Sequence, residues 1–258
     1  MKTVQFVRLA LGWVVATTCV ASLAQVVVPA SASFQLNGAS LDLGGSSLIS
    51  AGNFAIGAGQ VFDAATISIL PGGTVDGGSG AITLFGDWSN LGIFSAASGT
   101  VNFVDGPVAL SNIVGSSTFQ NANFSSAAGK TYSFASGSTQ SVGGLLTILG
   151  TSSQGIQFKS STAGQFASIN LQPAGSQTID FVGVSNVHAI GQHLAPTKTN
   201  DGGSGDDIGW FGNNGGGGTG GSGAIAAPIG SPLALLLLGL GLIGLAFRFG
   251  ASAKTQSF

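Results

Sequence analysis

The sequence predicts an all-β chain built as a right-handed parallel β-solenoid, with a β-sandwich as the alternative. Three observations carry this expectation. Short runs of period-2 alternation recur along the middle of the chain, each about four to six residues long. Clusters of Gly, Ser, Asn or Pro separate them, and no helical 3.6 repeat of useful length occurs. Gly occurs 44 times in 258 residues while only 6% of residues are charged, far below the quarter normal for a soluble globular domain.

The alternating runs are Ser40–Leu43, Thr66–Ile69, Ala81–Leu84, Thr100–Val104, Thr131–Phe134, Leu145–Ile148, Ile156–Phe158, Ser168–Leu171 and Thr178–Val182. Breaks such as Leu70-Pro-Gly-Gly, Asp76-Gly-Gly-Ser-Gly and Ala127-Ala-Gly-Lys supply the turns. Strands at this spacing suit a sandwich or a solenoid. The solenoid is favoured because Gly, Ser, Thr and Asn suit tight corners and stacked ladders. The charged outer faces of sandwich strands are also missing, and the strand-turn unit is self-similar. At about 20–25 residues per coil, residues 34–211 give roughly seven or eight coils. Stacked at about 4.8 Å they make a rod of roughly 35–40 Å.

The ends carry a different signal. Lys2 and Arg8 precede an apolar run from Leu9 to Val20, too short to span a bilayer, and Ser22-Leu23-Ala24 places small residues before a cleavage point after Ala24. Residues 1–24 are therefore expected to be a secretory signal peptide, followed by a short segment at 25–33. Cys19, the sole cysteine, lies within 1–24, so the mature chain has neither disulfides nor thiolate metal sites. Residues 212–227 form a Gly-rich tether. From Pro232 to Phe247 the chain is unbroken and apolar, closed by Arg248 and later Lys254. As a helix, about 16 residues reach about 24 Å, which with the uncharged Phe249–Ala253 makes a single membrane span with its tail in the cytoplasm. The Gly239-Leu-Gly-Leu-Ile-Gly244 pattern follows no strand, so it is a glycine-bearing span and not a dinucleotide loop.

The Pro228-Ile229-Gly230-Ser231-Pro232 motif, the Leu/Gly-rich span and Arg248 together resemble the PEP-CTERM and IPTL-CTERM class of C-terminal sorting signals. That resemblance covers residues 228–258. It implies export in a Gram-negative bacterium and a sorting transpeptidase as partner. A second resemblance lies in Gly86-Asp-Trp-Ser-Asn-Leu-Gly-Ile-Phe94 with Gly99-Thr-Val-Asn-Phe103, and in Gly129-Lys-Thr-Tyr-Ser-Phe134 and Ile208-Gly-Trp-Phe211 downstream. These pieces resemble repeats of filamentous-adhesin-type β-helices and imply a passive surface role.

Composition also limits the chemistry. Nine Asp against three Lys leave residues 34–211 at −6, without Glu or Arg, which excludes a nucleic-acid partner. Several Asp sit beside Gly, where the side chain caps its own turn. Asp201, Asp206 and Asp207 on a Gly-rich loop are a Ca²⁺ candidate, and no other cofactor is expected. His188 and His193 fall on an expected loop with no third ligand, and no Gly-x-Ser-x-Gly elbow marks a nucleophile. Trp88 and Trp210 are read as stacking core and end plug rather than as a sugar platform. The expected function is that of a non-enzymatic structural or adhesive protein. It would be exported, anchored or sorted by its C-terminal helix, and would meet extracellular polysaccharide or copies of itself. The alternatives are a carbohydrate-binding surface module and a β-helix polysaccharide lyase or hydrolase. Such a lyase or hydrolase site needs clustered Asp with Arg or Lys in one cleft, and the absence of Arg from residues 34–211 counts most against it.

Overall fold

A computed structural model describes residues 25–212. The signal peptide with its Ala24 cleavage point, most of the tether, and the sorting and membrane segment at 228–258 lie outside the described residues.

The described chain contains strands and no helix, and every pairing between strands is parallel. It is a solenoid of about eight coils, and each coil visits three faces in turn. The first face stacks Val26–Val28, Ser47–Ser50, the second halves of Gln60–Ile69 and Ala81–Asn90, then Leu110–Val114, Thr131–Phe134, Ile156–Ser160 and Val182–Ser185. The second face holds Ser33–Gln35, Asn53–Ala55, Thr74–Asp76 and Ile93–Ser95, followed by Ser117–Phe119, Thr139–Val142, Ala167–Leu171 and Val187–Ala189. The third face stacks Ser40–Asp42, the first halves of Gln60–Ile69 and Ala81–Asn90, Thr100–Phe103, Asn121–Ser125, Leu145–Leu149 and Ser176–Asp180. Sandwich sheets are antiparallel, so this topology sets the sandwich aside.

Register gives the coil length. On the first face the repeat is 22 residues from Val26 to Leu48, 19 to Ile67, 21 to Trp88, 25 to Ile113 and 21 to Phe134. It then lengthens to 26 from Tyr132 to Phe158 and again from Phe158 to Val184. The solenoid starts earlier than the expected boundary at residue 34, because Val26–Val28 pairs with Leu48–Ser50 and makes the first coil from the segment at 25–33.

Period-2 alternation sends one side chain of each pair into the core. Like residues then stack on like: Leu84, Phe103, Phe124 and Ile148 form one column, and Phe34, Phe54, Val75 and Phe94 another. The Phe103 and Phe124 rings lie parallel at 4.4 Å, and Phe124 meets Phe158 edge-on at 5.0 Å. Such pairs add about 0.5–1.5 kcal/mol each beyond burial. Ala81–Asn90 continues around a corner only because residue 86 is glycine. A Cβ there would fall on the Ala65 carbonyl oxygen of the coil beneath.

The corner between the second and third faces is regular in most coils. Four residues turn it at Leu36–Ala39, Ile56–Gly59, Gly77–Gly80, Ala96–Gly99 and Gln172–Gly175, each closed by the last N–H donating to the first carbonyl. Two consecutive coils break the rule. Gln120 alone turns the fifth coil, and Gly143 and Gly144 turn the sixth.

Candidate functional surface

The outer side chains are mainly hydroxyls and amides that bond along the stack. Asn123 Nδ2 donates to Asn102 Oδ1 and Asn102 Nδ2 to Thr83 Oγ1, both at 3.3 Å, linking three coils on the third face. The aspartates serve backbone. Asp42 and Asp76 accept from the N–H two residues on, at Gly44 and Gly78. Asp87 accepts from Asn112 N at 2.7 Å, and Asp105 from Ala127 N at 2.8 Å, so each caps the following coil.

Residues 190–212 close the C-terminal end. Asn200 organises this cap: its Oδ1 accepts from Val184 N and Gly203 N, and its Nδ2 donates to Val184 O and to Asp207 Oδ2. Trp210 is fully buried, bridges Leu194 and lies 6.3 Å from Phe158, which makes it the end plug. Sequence reasoning missed Asn200, since its partner at Val184 lies 16 residues away.

The Asp201, Asp206 and Asp207 cluster is dispersed within this cap. Asp207 is buried against Asn200, while Asp206 Oδ1 accepts from Ile208 N and its Oδ2 lies 3.4 Å from His188 Nε2. Asp201 is exposed, and its carbonyl accepts from Gln157 Nε2. Among the described residues, no group of three or more His, Cys, Asp or Glu is placed to hold a metal. His188 corrects the loop expectation. It stands on the strand Val187–Ala189, with its ring stacked on Phe166 at 4.0 Å. His193 is placed apart, in the turn that follows, where its carbonyl accepts from Gln177 Nε2.

Both tryptophans within the described residues are sealed in the core, so neither can stack on a sugar from outside. Trp88 Nε1 donates to Ser117 Oγ at 2.9 Å, and Asn90 Nδ2 donates to the same oxygen at 3.1 Å. Around this knot Trp88, Phe94 and Phe119 pack with centroids 4.9–5.7 Å apart. Here the second face is interrupted: Ile93–Ser95 ends one four-stranded sheet and Ser117–Phe119 begins another, with no ladder between them. A cleft of about 310 Å³ opens beside the break, lined by Phe94, Ser95, Ala96, Ala97, Thr118, Phe119, Gln120, Gly143 and Gln172.

A perturbed pair of titratable groups lies elsewhere, inside the wall. Lys130 is buried, and its Nζ donates to the carbonyls of Phe85, Val104 and Val108. Burial lowers its pKa, opposed by Asp105 and Asp87. The Lys130 ammonium is 5.8 Å from the Tyr132 ring. Tyr132 is buried, and its hydroxyl has no hydrogen-bond partner among the described residues. Burial, helped by Asp105, holds its phenol far above the ordinary value. Perturbed groups often mark active sites, but neither of these two lines the cleft beside the break, and both are held within the wall.

Tyr132 is the sole tyrosine, so alkaline titration reads it directly. The unfolded chain loses this proton near pH 10 and the folded chain keeps it. Stability therefore falls above about pH 10, by ~1.4 kcal/mol per unit from this group. We expect phenolate absorbance to rise only with unfolding. A rise at about pH 10 with the circular dichroism unchanged would refute the burial.

No family model, curated protein or solved structure matches the chain.

Proposed function

We propose that this chain is a non-enzymatic structural protein of the cell surface or extracellular matrix. On this reading it is exported by the general secretory route, and its C-terminal helix sorts or anchors it. The observation that carries the reading is the parallel ladder that runs through about eight coils on the first face. Its outer Ser, Thr and Asn side chains bond to one another, and its Asp side chains cap neighbouring turns. Side chains engaged this way stiffen a rod and leave a hydrated, mildly acidic exterior. The coil hand is taken as right-handed, as parallel crossovers nearly always are. The signal-peptide pattern at 1–24, the tether and the sorting-type segment at 228–258 support an exported chain, and the resemblance to adhesin repeats supports a passive surface role.

Intact mass of the protein from the producing cells, measured separately in medium, membrane and cytosol, tests this. The expected species starts at Gln25 and ends near residues 228–232, outside the membrane. A species running from Gln25 to Phe258 in the membrane fraction would replace sorting with a permanent anchor. Cytosolic protein retaining residues 1–24 would overturn export.

A further inference from the structure

We infer that the cleft at the interrupted corner is a binding site for a neutral saccharide. The cleft arises from corner length. Coils with four-residue corners carry their turns outward at Ala96–Gly99 and Gln172–Gly175, while the two coils between them cut the corner with one residue and with two. The result is a notch two coils deep. Its walls are Ala96 and Ala97 on one side and Gln172 on the other, and its floor is Thr118, Gln120 and Gly143. From the fourth coil to the seventh is three spacings, about 14 Å. That admits a flat ring and is too confined for a folded partner.

The floor offers polar groups that the protein itself leaves unused. Ile93 N–H donates to Gly73 and Ser95 C=O accepts from Gly77, so by alternation the peptide groups of Phe94 face the next coil. Phe119 C=O accepts from Gly143, so those of Thr118 face back toward Phe94. The ladder that would join them is missing. Among the described residues, the side chains of Ser95, Thr118, Gln120 and Gln172 make no hydrogen bond either. Each of these groups donates, accepts or does both, and none is charged.

That chemistry selects the ligand. No lysine, arginine, histidine or aspartate lines the notch, so no charged side chain is there to favour an anion or a cation. An apolar ligand would strand the amides and peptide groups without water or partner. A sugar ring has hydroxyls on its rim to match both donors and acceptors, and C–H faces to meet Phe94, Ala96 and Ala97. The inference deepens the surface-protein reading and rests on it only for where the glycan is met.

The test uses the full chain in a detergent without a sugar head group, since glycosidic detergents would compete. The probes are neutral oligosaccharides of glucose, galactose, mannose and N-acetylglucosamine, four to six units long, with oligogalacturonate and sulfated heparin fragments as charged comparators. Saturation-transfer NMR and calorimetry read binding. We expect at least one neutral series to bind and the charged comparators not to. Gly143→Leu fills the floor, and its Cβ has one close contact, the flexible end of Gln120 at 3.1 Å, with the Phe119 carbonyl oxygen at 3.9 Å. Gln120→Ala removes the central amide. Three residues inserted after Gln120 would rebuild the four-residue corner. Each change should weaken binding at least about tenfold, as for the loss of one or two hydrogen bonds, with circular dichroism and melting unchanged. If Gly143→Leu fails to fold, Gln120→Ala still decides. Absence of binding across the neutral series, preference for a charged glycan, or equal binding by Gln120→Ala would overturn the proposal. Cellular fraction is measured separately, so a chain that binds sugar in the cytosol removes only the location.

Discussion

Trp88→Ala is expected to remove about 3–5 kcal/mol of stability, the range for deleting a buried large aromatic side chain. The ring is fully buried, packs against Phe94, Phe103 and Phe119, and donates to Ser117 Oγ. Its position enlarges the effect. Between Ile93–Ser95 and Ser117–Phe119 the second face has no hydrogen-bonded ladder, so side chains hold the two halves of that face together. The loss is a large share of the ~5–15 kcal/mol that a typical domain has. Trp88→Phe should be milder, since most of the ring contact survives and the N–H to Ser117 is what goes. Denaturant midpoints of the two variants measure both effects. A loss below about 1 kcal/mol for Trp88→Ala would mean that the aromatic knot is not what holds the two halves of the second face together.

This knot also shows how far the sequence alone reached. Runs such as Thr100–Val104 and Thr131–Phe134 were legible because alternation over four or more residues has a direction, inward or outward, that composition cannot mimic. Ser33–Gln35, Asn53–Ala55 and Ile93–Ser95 are three residues long and too short to show a period. Val26–Val28 has none at all, being three valines, and its place in the first coil comes only from pairing with Leu48–Ser50. Site geometry was less accessible. The corners at Gln120 and at Gly143–Gly144 can be read off the chain, but only register places them side by side between two longer ones. Nearness in sequence misled at Asp206 and Asp207, whose adjacent side chains go to His188 and to Asn200 respectively.

Lys130→Met should cost roughly 3 kcal/mol even though it replaces a charge with an apolar group inside the wall. A buried ammonium is expensive when unpaired, but Lys130 has three carbonyl acceptors, and hydrogen bonds to charged groups contribute about 1.5–3 kcal/mol each. Methionine recovers part of the desolvation and leaves the Phe85, Val104 and Val108 carbonyls facing an apolar chain. Phe85 lies in Ala81–Asn90, Val104 directly follows the strand Thr100–Phe103 and Val108 ends the segment that leaves it, so Lys130 ties residues 104–108 to the coil beneath. The variant should therefore be cut first in that segment by a protease of broad specificity, before global unfolding. pH gives an independent reading. Because burial lowers the folded-state pKa of Lys130, the unfolded chain binds the extra proton between that value and 10.5, so this group's contribution makes stability rise with pH through that window. Tyr132 acts in the opposite sense above about pH 10. Removing Lys130 abolishes the rise and leaves the Tyr132 fall alone, so the variant should lose stability with alkali more steeply than the parent chain. Parallel pH profiles for the two proteins would show that burial does not lower the pKa of Lys130 in the folded chain.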